Sequence, residues 1–285
     1  MLIRRAWNKM KYLYNEKVNY QKLLRHTVNG SFSTNYYGAE YVICSLTTLP
    51  QRIDVVHLSI MSILKQTTRP HKVILYLGSE LFKNIKLPDN LMKLQNNGLE
   101  IKYVKDVMVH TKYFYAFQEY PNSIVITFDD DILYQKTLIE ELLKLHEKYK
   151  NSVVCSRAHK MKFNCGQLEP YNEWDWNAKT SFPSMYFFAT GVGGVLYPTK
   201  CFDNRTFKVN DFFELSSKND DIWLKCMEVL IKLPVVTLNE KTWFLEIKNS
   251  QNTSLNSLNV HASQNDIYLD NVFQKYKITE KSFEI

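Results

Sequence analysis

The chain has 285 residues, which is enough for one large α/β domain or two small ones. Hydrophobic residues make up 45% of it and charged residues 23%, the composition of an ordinary globular protein, so a largely disordered chain is excluded. Its net charge is +7, and its 5 cysteines are widely spaced without a Cys-x-x-Cys pair, which indicates neither a zinc ribbon nor a disulfide framework.

The positive charge is concentrated at the N-terminus. Residues 1–26 contain seven Lys and Arg residues but only Glu16 as an acid, which is +6 of the total of +7. Nucleic-acid binding usually spreads basic charge over a folded face with interleaved aromatic residues, so no nucleic-acid partner is expected. An apolar stripe at helical spacing runs from Ile3 to Val18. Residues 1–36 are therefore expected to form a basic amphipathic segment that either associates with a membrane surface or packs on the domain.

The sequence also suggests a location. No apolar run approaches the roughly 20 residues that a spanning helix needs, and the N-terminus lacks the apolar region of a secretory signal. We therefore expect a cytoplasmic protein. If the N-terminal segment binds lipid, the protein is peripheral on the inner face of the cell membrane.

Strand-like and helix-like segments alternate after residue 37. Apolar, β-branched runs predict strands at 41–46, 71–77, 99–104, 123–128 and 152–156. Apolar residues at helical spacing predict helices at 53–64, 113–120, 138–149 and 220–231, and a glycine-rich strand is predicted near 191–197. Strands separated by helices indicate an α/β fold with a mostly parallel central sheet flanked by helices.

Three adjacent carboxylates follow the fourth predicted strand. Asp129, Asp130 and Asp131 come directly after the apolar run SIVITF. In open α/β sheets ligands gather beyond the carboxyl ends of the strands, and adjacent carboxylates repel one another unless a cation or hydrogen-bond donors neutralise them. Mg²⁺ and Mn²⁺ prefer carboxylate oxygens and share their other positions with substrate phosphates. The triplet therefore predicts a divalent-cation site, and an acidic turn that caps the next helix is the alternative.

A second acidic pair, Asp220 and Asp221, opens the last of these predicted helices. Asn219 before it is a natural N-cap, and acids in a first turn complement the helix dipole. Alternatively, an acid here faces a cleft and acts as a general base. Both interpretations hold if one Asp caps the helix while the other reaches the cleft.

Two further segments have alternative interpretations. The aromatic run at 171–176 (YNEWDW) is expected either to stack on a glycan or to plug the core. Gly191, Gly193 and Gly194 either let the backbone approach a sugar closely or mark a bulge in a strand.

Several segments, in this order, resemble one family. They are SLTTLPQR at 45–52, KYFYAFQEYP at 112–121, DDD at 129–131, TGVGGVLYP at 190–198 and NDDIW at 219–223. Together they resemble nucleotide-diphosphosugar (GT-A) glycosyltransferases, particularly bacterial enzymes that build capsular polysaccharide or lipopolysaccharide. The last three are also similar to the exostosin-type catalytic domain. The resemblance implies a single GT-A domain over 37–285, with a nucleotide-sugar-binding half at 37–135 and an acceptor-binding half at 136–285.

The resemblance also implies roles for the donor side. Asp129 and Asp131 look like the family's DXD motif, so Asp131 would bind Mn²⁺ or Mg²⁺ directly. Asp129 would join that metal site or, like Asp130, lie nearer the ribose or sugar. Thr47 and Arg52 would line the nucleotide pocket, and Lys112 would meet ribose or phosphate. For Arg52 and Lys112 the alternative is an ordinary surface charge.

On the acceptor side, the resemblance implies that Asp221, or else Asp220, is the general base. His261 would complete the metal shell, with a structural histidine as the alternative. Asn265 and Asp266 resemble a motif near the family's C-terminus and receive no assigned role.

These observations predict a metal-dependent glycosyltransferase of hexosyl- or N-acetylhexosaminyl-transferase type. It would move sugar from a nucleotide-diphosphate donor, expected to be UDP-linked, to a glycan or lipid-linked acceptor in surface-polysaccharide synthesis. Inversion or retention stays open, since exostosin-type enzymes retain configuration. The alternative is a non-catalytic glycan-binding or assembly subunit with the same fold, because fold alone does not prove activity. A phosphotransfer receiver fits poorly, and no phosphate-binding GxxxxGK[ST] loop or GxGxxG fingerprint is present.

Overall fold

A seven-stranded sheet organises the chain in a computed structural model, which describes residues 21–22, 24–25, 27, 29–38, 40–239, 244–247 and 264–284. The strands are β1 Val42–Thr47, β2 Lys72–Gly78, β3 Leu99–Val104, β4 Ile124–Thr127, β5 Ile132–Tyr134, β6 Val153–Cys155, β7 Ala158–Lys160, β8 Phe163–Asn164, β9 Gln167–Leu168, β10 Phe187–Ala189, β11 Val195–Pro198, β12 Val235–Thr237 and β13 Phe244–Glu246. The central sheet has the order β12-β6-β11-β4-β1-β2-β3. All its strands run parallel except β11, which is antiparallel to both β4 and β6.

Helices connect these strands. They are α1 Val56–Leu64, α2 Ser79–Phe82, α3 Asp89–Met92, α4 Thr111–Glu119, α5 Leu138–Lys148, α6 Val209–Ser216, α7 Asp220–Leu230 and α8 Gln264–Tyr276. The predicted α/β architecture, a mostly parallel central sheet flanked by helices, is confirmed. The five predicted strands and the four predicted helices up to residue 231 are also confirmed. Each predicted end lies within three residues of the observed one. The prediction near 191–197 was wrong in part, because Gly191–Gly193 form a 3₁₀ turn and the strand begins at Val195.

Each face of the sheet carries its own hydrophobic cluster, because successive side chains of a strand point to opposite faces. Ile43 of β1 packs on one face with buried side chains of α4 and α7, including Phe117 and Trp223. Its neighbour Cys44 packs on the other face with α1 and α5, including Ile60 and Leu142. Helices therefore cover both faces, and the carboxyl-terminal edge of the parallel strands stays accessible.

The described part of the chain contains no helix that is long and apolar enough to span a bilayer. The five cysteines all lie in this part and form no disulfide there. The predicted apolar stripe from Ile3 to Val18 lies outside the described residues.

Candidate active site

A cleft of about 1050 Å³ opens at the carboxyl-terminal edge of the sheet. The ends of β1, β4 and β6, the turn before β11 and the start of α7 surround it. Every described residue of the predicted site lines this cleft: Thr47, Arg52, Lys112, Asp129, Asp130, Asp131, Asp220 and Asp221. His261 lies outside the described residues. The alternative that Arg52 and Lys112 are ordinary surface charges was wrong, since their side chains are 14% and 11% exposed.

The Asp triplet is divided between two cations. Arg52 Nη1 lies 2.7 Å from Asp130 Oδ1 and 3.1 Å from Asp131 Oδ2. Thr48, in the loop after β1, donates its hydroxyl to the other oxygen of Asp130 at 2.5 Å. Asp129 turns away from Arg52 and accepts a hydrogen bond from Lys112 Nζ at 3.1 Å. Although the three residues are adjacent in sequence, they therefore pair with two different cations.

Lys112 connects the two acidic clusters. Its Nζ lies 3.1 Å from Asp129 Oδ1 and 3.1 Å from Asp220 Oδ2. The backbone of α4 is fixed nearby, because the Ser45 hydroxyl of β1 donates to the Lys112 carbonyl. Burial alone would lower the pKa of Lys112, but Asp129 and Asp220 raise it well above its usual value. The lysine therefore remains protonated and holds the ends of β4 and α7 together.

The second acidic pair occupies the first turn of α7. Asn219 is the N-cap, and its side-chain oxygen accepts the Ile222 N–H at 3.0 Å. Because Asn219 performs this role, both following carboxylates are available to the cleft. Asp220 forms an ion pair with Lys112, and Asp221 Oδ2 accepts a hydrogen bond from the Gly191 N–H at 2.9 Å. The expectation that one Asp would cap the helix was wrong for this reason.

Two of the cleft's carboxylates have a pKa near neutrality. Burial, followed by the negative charge of its neighbours Asp130 and Asp129, raises the pKa of Asp131 to about 7, although Arg52 opposes this shift. Burial and the adjacent Asp220 raise the pKa of Asp221 to about 7, although Lys112 and the Gly191 N–H oppose it. A carboxylate with a pKa near 7 can take up and release a proton at neutral pH.

Gly191 brings the backbone into the centre of this cluster. A Cβ at this position would lie 3.1 Å from Asp221 Oδ1, 3.1 Å from Lys112 Nζ and 3.6 Å from Asp129 Oδ1. Any side chain here would therefore crowd the polar groups of both acidic clusters. The expectation that glycine lets the backbone approach a sugar closely stays a prediction, and at Gly191 the alternative of a strand bulge was wrong, since Gly191 lies in a 3₁₀ turn.

The cleft has the charge and oxygen donors that a divalent cation needs. Its two acidic clusters contribute five carboxylates, whereas only Arg52 and Lys112 form ion pairs with them among the described residues. Within the same residues no three His, Cys, Asp or Glu side chains converge on one point. Mg²⁺, however, commonly uses only one or two carboxylates and completes its shell with phosphates and water. Asp129 is the most exposed of the triplet, with 28% of its side chain accessible. The residues present therefore fit such an ion.

The opposite wall of the cleft is aromatic and basic. Trp176 is 42% exposed, and its ring lies 4.7 Å from that of His159. Tyr171 and Trp174 are buried, so one part of the aromatic run packs in the core while Trp176 is exposed in the cleft. Arg157 follows β6 on the same wall. Sequence reasoning missed Arg157 and His159, because a single cation or histidine after a short strand has no distinctive pattern.

The C-terminal pair Asn265–Asp266 supports both walls. Asn265 accepts a hydrogen bond from the Asn219 side chain at 2.8 Å. Asp266 accepts the Tyr171 N–H at 2.7 Å. Helix α8 therefore fixes the cap of α7 and the aromatic segment relative to each other, a role that the sequence did not indicate.

Comparison with known proteins adds a likeness in fold. No protein-family model and no curated protein sequence matches the chain. Two similar solved structures are of S. aureus TarS 1–349, one in complex with UDP and one with UDP-GlcNAc. Each is 14% identical in sequence. The UDP complex matches 70% of this chain with a TM-score of 0.46, and the UDP-GlcNAc complex matches 74% with a TM-score of 0.47. The chain spans 59% of the length of either TarS structure. A third is 4-diphosphocytidyl-2C-methyl-D-erythritol synthase, 6% identical over 77% of this chain and 99% of its own, with a TM-score of 0.44. At these values the likeness concerns the fold alone.

Proposed function

We propose that the protein is a metal-dependent glycosyltransferase that moves a sugar from a UDP-linked donor to a glycan or lipid-linked acceptor in surface-polysaccharide synthesis. The observation that carries this proposal is the pairing of two acidic clusters across one cleft. One cluster follows a parallel strand, where α/β proteins bind ligands. The other opens a helix and contains a buried carboxylate with a pKa of about 7. A cation site and a base at opposite sides of one cleft fit sugar transfer from a diphosphate.

The donor half of the cleft contains groups suited to a nucleoside diphosphate. Thr47 and Arg52 lie in and after the end of β1, and the triplet follows β4. Asp129 and Asp131 would hold Mg²⁺ or Mn²⁺, and Lys112 and Arg52 would help to neutralise the diphosphate. When bound, the ion offsets negative charge that grows on the leaving diphosphate.

The acceptor half contains the base. Asp221 accepts a hydrogen bond from the Gly191 N–H, and burial, followed by the negative charge of Asp220, raises its pKa to about 7. We propose that Asp221 takes the proton of the acceptor hydroxyl as that oxygen attacks the anomeric carbon. The bond between this carbon and the diphosphate breaks, and its electron pair leaves with the nucleoside diphosphate. This single displacement inverts the anomeric configuration, which NMR of the product tests directly.

The test of the function is a screen against nucleotide sugars. Purified protein is heated with each candidate donor, with Mn²⁺ or with EDTA, and its melting temperature is recorded. A ligand that binds only the folded state raises the melting temperature by mass action. We expect UDP and at least one UDP-sugar to stabilise the protein only when Mn²⁺ is present. Stabilisation by no nucleotide under either condition would contradict the proposal.

The same screen separates an enzyme from a non-catalytic glycan-binding subunit. A binding subunit has no need of a proton acceptor beside the sugar, so changing Asp221 would leave its function intact. An enzyme loses turnover and keeps donor binding. Release of UDP from the stabilising donor, measured with a mixed acceptor extract, distinguishes the two.

We further propose that residues 1–36 bring the enzyme to anionic lipid on the inner face of the cell membrane. The net charge of +6 in residues 1–26 supports this placement, because each basic residue near an anionic surface contributes about 1 kcal/mol to the binding free energy. A lipid-linked acceptor would lie at the same surface.

A further inference from the structure

The cations of the cleft differ in how they are paired. Arg52 and Lys112, on the donor half, each form ion pairs with carboxylates at 2.7 to 3.1 Å. Arg157 and Lys179 line the other half, and neither forms an ion pair with a carboxylate of the described residues. Neither cation of this second half therefore has a directly paired carboxylate within the part of the chain that the structure describes.

Neutral groups hold these two cations in place. Arg157 Nε donates to the Asn177 side-chain oxygen at 2.6 Å. Lys179 Nζ donates to the carbonyl of Ser156, the residue before Arg157, at 2.8 Å. Both cations thus lie beside the same peptide at the end of β6. The Nη groups of Arg157 have no hydrogen-bond partner among the described residues, and a guanidinium offers such groups to an oxyanion as a planar fork.

The cations border a surface that suits a sugar ring. Trp176 presents an exposed aromatic face, backed by His159. His159 Nδ1 accepts the Asn177 N–H, and burial together with the charge of Arg157 lowers the pKa of His159 to about 4, so its ring is neutral at physiological pH. The two rings add no charge of their own, and Asn177 links His159 to Arg157.

Placing charge here without a partner has a cost. Arg157 is half-buried, and burial lowers its pKa, although Asp221 and Tyr171 oppose the shift. A partly buried cation without a counter-ion is unfavourable unless a ligand supplies the opposite charge. A neutral sugar would require only the aromatic face.

We propose that the acceptor sugar carries an oxyanion, a carboxylate or a phosphate ester, which Arg157 and Lys179 bind while its ring stacks on Trp176. This inference rests on the proposed function. It names the acceptor class for the same cleft. The sheet order argues against the donor diphosphate as the anion, because β6 is separated from β4 by β11, whereas β1 with the donor residues lies on the other side of β4.

The test compares three methyl β-glycosides of glucose that differ in one group. They are the neutral glucoside, the glucuronide with a carboxylate, and the glucoside 6-phosphate. Binding to the full chain is measured by calorimetry with UDP and Mn²⁺ present, so that the donor half is already filled. We expect at least one anionic glycoside to bind about 10-fold more tightly than the neutral one, the size of a charge-assisted contact.

Variants assign that preference to particular residues. Arg157→Gln, which retains amide donors, should reduce the preference to about 2-fold or less, and Lys179→Gln should reduce it partly. Lys83→Gln removes the same charge from an exposed position outside the cleft and should change nothing. Trp176→Ala should weaken the neutral and anionic glycosides alike, because it removes the stacking face and leaves the cations.

Two results would overturn the inference. One is equal binding of all three glycosides by the unaltered protein. The other is an Arg157→Gln variant whose affinity for UDP falls as much as its affinity for the glucuronide or the 6-phosphate. The two cations would then bind the donor and not the acceptor. The UDP measurement also separates the two proposals. A protein that binds UDP with Mn²⁺ but shows no preference contradicts only this inference, and one that prefers anionic glycosides but binds no UDP contradicts only the proposed function.

Discussion

Replacing Lys112 with methionine tests whether one buried cation holds the two acidic clusters together. Its Nζ lies 3.1 Å from a carboxylate oxygen on each side, and only 11% of its side chain is exposed. At an effective dielectric constant of about 20, each such contact is an attraction of about 5 kcal/mol before desolvation is subtracted. Measured losses for breaking a buried pair are about 3–5 kcal/mol, because the remaining charge stays buried.

We therefore expect Lys112→Met to lower the melting temperature by about 10 °C, since in a protein of this size 1 kcal/mol corresponds to about 2–4 °C. The loss should be smaller at pH 5 than at pH 8. Burial already raises the pKa of Asp220, and without Lys112 this carboxyl takes up a proton still more readily in the folded state. Folding then binds more protons than the unfolded chain does, so acid stabilises the variant.

Thermal unfolding followed by circular dichroism measures both effects. The matched control is Lys102→Met, which removes the same side chain from the exposed pair with Glu119 at 2.5 Å. An exposed pair contributes about 0–1 kcal/mol, so the control should shift by only a few degrees. A Lys112→Met variant as stable as the control at every pH would refute the reasoning.

Three further changes separate metal, chemistry and location. Asp131→Asn should remove most Mn²⁺-dependent UDP binding, measured by calorimetry, and unchanged affinity in this variant and in EDTA would place the ion elsewhere. Asp221→Asn should bind donor normally but transfer sugar about 100-fold more slowly, and only the unaltered enzyme should gain kcat/KM as pH rises through about 7, because the base must lose its proton. Near-normal turnover would move the base. A chain beginning at Tyr37 should bind UDP but no longer cosediment with anionic liposomes, whereas the full chain should do so less as salt rises; equal sedimentation would contradict a lipid-binding segment.

Residues that are close in sequence made the position of the Asp triplet in the cleft predictable. The run SIVITF predicts a buried strand, and the end of a parallel strand puts the following Asp129–Asp131 at the ligand-binding edge of the sheet. Thr47 ends β1 and Arg52 follows it, so both lie at the same edge. The direction of each carboxylate was not predictable, because Arg52 and Lys112 reach the triplet from 78 and 17 residues away.

The acceptor half depends more on distant contacts. Tyr171 is held by Asp266, which lies 95 residues further along the chain, and Asn219 by Asn265 across 46 residues. Short strands such as β7 and β10 have three residues each and carry no measurable alternation. A glycine-rich strand was predicted near 191–197, but Gly191 lies in a 3₁₀ turn, from which its N–H donates to Asp221. Tertiary contacts therefore decided the local structure in this half.

The two halves of the cleft are unequal in charge in a way that fits two different ligands. On the donor side, the three carboxylates of the triplet outnumber the two cations paired with them, Arg52 and Lys112, which under the proposed function favours a metal ion there. On the acceptor side, Arg157 and Lys179 have no carboxylate partner among the described residues, so this side attracts an anion without a metal. Gly191 lies between the two sides, where a Cβ would come within 3.6 Å of Asp129, Lys112 and Asp221. Under the proposed function, the absence of a side chain there leaves room for an acceptor oxygen to meet the donor carbon beside Asp221.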